Sequence, residues 1–296
     1  MNAHAPLRAY MVNLGGSLAG VVAFGAVSAL QLPPAAWFGV AFLAALPFLF
    51  ELSRPWAVAG VVCLAVSLGV SHKLSGETMW SPYYKITAHT TGSETVVEVN
   101  NIFHQSMAPV REKEYFYQWP YQVFGDRFED VLILGAGSGT DVASALQHGA
   151  RRVDAVEIDP VIVRLGREYH PDGPYKDPRV HVVTDDARHY LRTSDKQYDL
   201  IVFALIDSLT LQSSFSAVRL ESFMFTEEAF RAAKARLAPD GVLVVYNYFR
   251  EKWLVDRLAN SARNVFGEEP KVHIHKEHGY LGVMIAGPGV HTVASW

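Results

Sequence analysis

The sequence predicts an α/β fold, a mostly parallel sheet covered by helices on both faces, preceded by an apolar helical segment. Three observations carry that expectation. The first 80 residues hold three basic side chains (Arg8, Arg54, Lys73) and two acidic ones (Glu51, Glu77), with no charge at all between Ala9 and Phe50. From Val131 onward, short β-branched runs alternate with helical stretches, the pattern of parallel strands joined by crossover helices. A glycine-rich turn, Gly135-Ala136-Gly137-Ser138-Gly139, follows directly on the first of those runs. The net charge of −4 over 296 residues gives no electrostatic reason to bind nucleic acid. The single cysteine, Cys63, excludes an intrachain disulfide and a cysteine-rich metal site.

The apolar segment comes first. A bilayer-spanning helix needs roughly 20 apolar residues. Tyr10–Leu30 and Ala35–Phe50 fit as two spans broken at Gln31-Leu32-Pro33-Pro34, and Trp56–Val70 fits as a third. A signal peptide accounts poorly for three successive apolar stretches. Buried core helices of a soluble protein would need a polar face that the run lacks. The expectation is therefore three transmembrane helices over residues 1–75, with lipid around residues 9–71. Arg8 and Arg54 would share one side, Lys73 and Lys85 the other, so basic residues do not orient the chain.

The elements of the remainder follow in order. Tyr83–Thr90 and Thr95–Asn100 read as a hairpin about Thr91-Gly92-Ser93. Glu112–Phe124 is expected to be partly helical, with Pro120 as an interruption. Val131–Leu134 is a buried strand, Asp141–His148 a helix closed by Gly149, and Arg152–Glu157 the next strand. Asp159-Pro160 begins a helix as cap and first-turn proline. Val180–Val183, a short helix at Ala187–Leu191 and a strand at Asp199–Leu205 come next. Thr226 caps a helix ending at Leu237. Pro239-Asp240-Gly241 turns into the strand Val242–Tyr246, followed by the helix Trp253–Val265. Lys271–His275 and Tyr280–Ala286 form a last hairpin. The organisation expected is 1–75 helical, 76–125 hairpin and linker, and 126–296 ligand-binding domain.

The turn at 135–139 lets the backbone bend tightly and approach a ligand. It departs from the dinucleotide fingerprint, whose third glycine would stand at Thr140, so it suits a nucleoside without phosphates. Glu157 ends the second strand, placed to accept both ribose hydroxyls. Asp186, after the third strand, can accept from an adenine amino group, although Asp185 competes and a helix-cap role is open to either. Gly135, Gly137, Glu157 and Asp186 together describe a pocket for an S-adenosyl ligand.

At these residues the chain resembles the spermidine synthases, or polyamine aminopropyltransferases, specifically a branch in which the enzyme domain follows membrane helices. The resemblance runs from about Trp80 to Ala286. Trp80-Ser81-Pro82-Tyr83-Tyr84-Lys85-Ile86 is similar to the segment that opens the family's N-terminal β-structure. Lys113-Glu114-Tyr115-Phe116-Tyr117-Gln118 is similar to its acid-aromatic-Tyr-Gln stretch. The resemblance implies a Rossmann-like methyltransferase-type sheet with an N-terminal β-hairpin region. It places Tyr117 and Gln118 beside substrate and cofactor, and His104 near a cofactor-binding glutamine. Ser138 stands where the family often has an aspartate that grips the amino acid part of the cofactor. At the fourth strand the family carries two acids, the first of which takes a proton from the attacking amine. Here Asp207 matches the second, and Ala204 replaces the first.

The resemblance thus implies transfer of an aminopropyl group from decarboxylated S-adenosylmethionine to a polyamine such as putrescine, with Asp207 and Tyr117 as catalytic residues. Ala204, Ser138 and Arg219 leave two alternatives open. One is methyl transfer from S-adenosylmethionine to a small or membrane-associated acceptor. The other is a non-catalytic nucleoside-binding module. Asp199 and Glu221 could assist Asp207, and Tyr246-Asn247-Tyr248-Phe249 offers an aromatic wall. His273, His275 and His278 lack accompanying ligands, so no metal is expected. Because the co-substrate is cytoplasmic, the expected location is the inner (plasma) membrane, multi-pass, with the C-terminal domain facing the cytoplasm. Family hairpins also suggest a homodimer.

Overall fold

A computed structural model describes residues 4–49, 51–206, 223–249, 251–275 and 281–292. It divides into two compact units, Met1–Thr87 and Ala88–Trp296.

The first unit contains helices α1 (His4–Ala29), α2 (Pro34–Leu49) and α3 (Arg54–Ser75). Pro34 opens α2 and Pro55 sits in the first turn of α3, where a missing N–H costs nothing. Gln31 takes a positive φ of 56° in the break between α1 and α2. Phe24 packs edge-on against Trp37, and Trp37 against Trp80 on the short strand β1 (Met79–Trp80). The expectation of a three-span, multi-pass inner-membrane protein is corrected here. Among the described residues two helices, Pro6–Ala29 and Arg54–Ser75, are long and apolar enough to cross a bilayer. The 16 residues of α2 reach only about 24 Å at 1.5 Å per residue, short of a hydrocarbon core of roughly 30 Å. Two such helices are weak grounds for a membrane protein, because signal sequences and core helices share the same composition.

In the second unit the end of β2 (Lys85–Thr91) turns at Gly92, φ 63°, into β3 (Glu94–Val99). The hydroxyls of Thr90 and Thr95 meet across that turn at 2.9 Å. The strand β4 (Ile102–Met107) pairs antiparallel with β3. Its register places Val97 opposite Gln105 but Glu98 opposite Phe103, so His104 is the extra residue of a bulge. Two 3-10 turns, Val110–Glu112 and Tyr115–Tyr117, lead into α4 (Trp119–Phe124). Pro120 lies in the first turn of α4, so it starts that helix instead of interrupting one.

The main sheet comprises β5 (Asp130–Leu134), β6 (Arg152–Glu157), β7 (Val180–Thr184), β8 (Tyr198–Ala204), β9 (Leu237–Tyr248), β10 (Lys271–His275) and β11 (Leu281–Ala286). Their spatial order is β10-β11-β9-β8-β5-β6-β7. The five strands from β7 to β9 are parallel, and β11 and β10 pair antiparallel beyond β9. The sheet is therefore mixed. Its helices are α5 (Thr140–Gln147), α6 (Pro160–Tyr169), α7 (Ala187–Thr193), α8 (Glu227–Lys234) and α9 (Lys252–Phe266). Asp159 caps α6 by accepting from the amides of Val161 and Ile162, and Thr226 caps α8 by accepting from Ala229. The strand β9 begins at Leu237, so Pro239-Asp240-Gly241 is absorbed within it at a register shift against β8.

Strand alternation sorts the core into two faces. Ile133, Val153, Val202, Val244 and Val283 pack with Val142, Ala145 and Val163 of α5 and α6. Leu132, Val156, Phe203 and Val245 pack with Leu191, Phe230 and Leu258 of α7, α8 and α9. The chain leaves β5 toward β6 and β7, then returns to place β8 on the opposite side. That reversal opens a crevice beyond the C-terminal ends of β5 and β8, where ligands of such sheets sit.

Candidate active site

The turn after β5 is held in a conformation that only glycine tolerates well. Gly135 and Gly137 have φ of 75° and 55°. A Cβ on Gly135 would meet Ile206 at 2.9 Å and the Ala204 carbonyl at 3.2 Å; one on Gly137 would meet Gln105 Oε1 at 2.7 Å. Three side chains from different elements clamp the turn. Glu157, at the end of β6, accepts from the Gly137 amide through Oε2 and from the Asp159 amide through Oε1, both at 2.9 Å. Gln105 Oε1 accepts from the Ser138 amide at 2.9 Å and from the Ser138 hydroxyl at 2.8 Å. The Tyr175 hydroxyl donates to the Gly137 carbonyl at 2.6 Å. Burial pushes the Glu157 carboxyl up to about 6, although both amides oppose the shift.

Asp186 caps α7, accepting from the His189 amide at 2.8 Å, while Asp185 accepts from the Asp186 amide and faces His189 Nδ1 at 2.7 Å. The cap role open to either residue from sequence thus falls to Asp186. His104 is buried enough that its ring falls to about 4. Its neighbour Gln105 is the side chain on the glycine turn. Gln118 Nε2 donates to the Val110 carbonyl at 3.4 Å.

Tyr117 lies beside Phe116, with ring centroids 4.4 Å apart, and edge-on to Tyr246 at 6.3 Å. Its carbonyl accepts from Ser144 at 2.7 Å, tying the aromatic segment to α5. Burial and then the Asp141 and Glu114 charges push the Tyr117 hydroxyl well above its ordinary value. Lys113 stands 5.9 Å from the Tyr117 ring centre. Asp207, Arg219 and Glu221 lie outside the described residues.

Asp141, in the first turn of α5, is buried and accepts from the Tyr246 hydroxyl. Burial raises its carboxyl to about 7, against the Tyr246 bond. Tyr246 in turn pairs across β8–β9 with Ala204. An acid in a first helical turn is ordinary helix chemistry, so nothing local marks Asp141. Gln105 and Tyr175 carry no local signal either; each reaches the turn from more than 30 residues away.

Comparison with known proteins identifies the family. Residues 112–274 match the spermine/spermidine synthase domain. The chain is 28% identical to polyamine aminopropyltransferase 1 of Streptomyces coelicolor, over 93% of this chain and 54% of that protein. It is 33% identical to the polyamine aminopropyltransferase of Vibrio vulnificus, over 53% of this chain and 50% of that protein. The chain thus spans about half the length of these curated relatives. The crystal structure of a spermidine synthase in complex with the transition state analogue AdoDATO is similar in fold, with a TM-score of 0.53 at 18% identity, covering 70% of this chain and 71% of that one. Spermidine synthase from Thermotoga maritima gives 0.52 at 18%, covering 70% of each chain. A likeness of this extent is one of fold, and the expected three spans reduce to two helices of spanning length among the described residues. With more than half of its residues matching one domain, the chain belongs to the spermine/spermidine synthase family.

Proposed function

We propose that the second unit binds an S-adenosyl sulfonium between the glycine turn and Glu157. It transfers the aminopropyl group of decarboxylated S-adenosylmethionine to a polyamine acceptor such as putrescine, giving spermidine and methylthioadenosine. The observation that carries this reading is the Glu157 carboxylate, at the end of β6, turned onto the Gly137 amide at 2.9 Å. Each carboxylate oxygen uses one lone pair on a backbone amide and keeps another for a ribose hydroxyl. The turn is a cradle in which added Cβ atoms would collide. Gln105 Nε2 is buried without a hydrogen-bond partner among the described residues, a donor suited to an acceptor atom on a ligand.

When bound, the sulfonium supplies a carbon open to nucleophilic attack, with a neutral thioether as leaving group. The chain's own residues do the rest. Asp186 accepts from the adenine amino group while retaining its cap. Gln105 performs the donor role that the family's glutamine implies, beside His104. Gln118 and Ser138 line the amino side. Tyr117, kept protonated by burial, donates and forms an aromatic wall with Phe116 and Tyr246 that favours cations. Asp207 pairs with the charge of the acceptor.

Methyl transfer is the second reading, favoured by Ala204, which leaves the end of β8 without a carboxylate. Incubating the protein with decarboxylated or ordinary S-adenosylmethionine and a panel of amines separates the two. Methylthioadenosine is the expected product; S-adenosylhomocysteine instead would replace aminopropyl transfer with methyl transfer.

A further inference from the structure

The molecule contains a buried acid that the proposed binding scheme does not use. Asp141 is on α5, yet its carboxylate is bonded to the Tyr246 hydroxyl of β9. Tyr246 is 1% exposed and shares one face of the sheet with Ala204, Phe116 and Tyr117. In the parallel register Ala204 is the direct partner of Tyr246. The side chain at position 204 is a methyl group, so that position offers no proton acceptor. Among the described residues a carboxylate reaches this face from the helix after the glycine turn, where Asp141 accepts from the phenol that pairs with position 204.

We propose that Tyr246, backed by Asp141, removes the proton from the acceptor nitrogen, supplying from α5 the base that position 204 lacks. The proposal rests on the aminopropyl reading above. The acceptor arrives as an ammonium. One N–H proton passes to Tyr246 Oη while the Tyr246 proton passes to Asp141 Oδ1. The freed lone pair forms the new C–N bond, and the C–S bond breaks with its electron pair moving to sulfur. Asp141 is left as a neutral carboxylic acid, which returns its proton to water as product leaves. Tyr246 meets the acceptor; Asp141 is a positioning residue behind it.

The surroundings suit a proton held near neutrality. The carboxylate acts by its charge on four phenols, Tyr246 on β9, Tyr117 before α4, Tyr121 on α4 and Tyr175 after α6, and is hydrogen-bonded to the first. Glu114 and Tyr248 act on Tyr117, Glu157 and Arg167 on Tyr175, and Lys113 stands over the Tyr117 ring. Against the Tyr246 bond, burial makes the carboxylate a stronger base than one in water, which is what an ammonium donor requires.

The test is steady-state kinetics of the full chain with decarboxylated S-adenosylmethionine and putrescine. Asp141→Asn and Tyr246→Phe should each lower kcat by about 100-fold, with the KM for the nucleoside changed less than about 3-fold. The double variant should be no slower than the worse single one, because the pair acts as a unit. The rise of wild-type kcat with pH near neutrality should be lost in both variants. Adding Ala204→Asp to Asp141→Asn should restore at least about 10-fold, which repair of a merely structural defect would not do. Tyr246→Phe preserves volume, and retained methylthioadenosine binding by calorimetry certifies its fold. A kcat within about 3-fold of wild type in Tyr246→Phe, with the pH profile unchanged, overturns the proposal alone. Wild-type protein that forms no methylthioadenosine from any amine overturns the aminopropyl reading and this proposal together.

Discussion

Asp141 shows how one side chain can answer to two environments. In the unfolded chain it releases its proton near 3.8, and in the folded chain burial holds that proton up to about 7. Between those values the folded state binds more protons than the unfolded one, so stability falls as pH rises across that window. The effect is at most about 4 kcal/mol at neutral pH. Urea denaturation from pH 4 to 8 should therefore show a decline that Asp141→Asn flattens. At the same scale, Gly135, Gly137 and Glu157 were legible in sequence because a strand, a tight turn and an acid one βαβ unit later are local patterns. The choice between His104 and Gln105 was not legible. Neighbours on a strand face opposite ways, and the bulge opposite Val97 and Glu98 decides which of the two meets Ser138.

At the level of elements, caps and prolines explain most boundaries. Thr226 and Asp159 end their loops by accepting backbone amides, as their positions ahead of apolar runs suggest. Thr226→Ala should cost about 1 kcal/mol by chemical denaturation and leave nucleoside binding untouched. Asp186 serves as cap and as proposed adenine acceptor, and Asp186→Ser separates the two. Serine caps about as well as aspartate but is shorter. Stability should stay within about 0.5 kcal/mol of wild type, while calorimetric affinity for methylthioadenosine falls roughly 10-fold. Affinity that does not change would leave Asp186 with the cap alone. Pro120 was harder to read, because proline marks a helix start and a helix break with the same residue; only the preceding 3-10 turns settle which.

For the whole molecule, the sheet order is what turns separate motifs into a site. The reversal at β5 brings the glycine turn beside the end of β8, where Ala204 pairs with the buried Tyr246. Ligand binding to that unit should raise its stability by mass action. Methylthioadenosine at 100 times its Kd contributes about 2.7 kcal/mol. In a unit of this size that moves Tm upward by about 5–10 °C. Differential scanning calorimetry should record the shift in wild type and its loss in Glu157→Gln. No shift in wild type would remove the nucleoside from the site.

The alternating α/β pattern, the tight glycine turn after β5 and the acid at the end of β6 were already written in local sequence. Each depends on steric and hydrogen-bonding preferences acting over a few residues or one strand-helix unit. Local sequence did not determine how many apolar stretches reach spanning length, which residue of β4 grips the turn, or that Asp141 meets Tyr246 from 105 positions away. Those depend on where a helix stops, on register, and on which faces pack together, and only the folded chain balances all three at once.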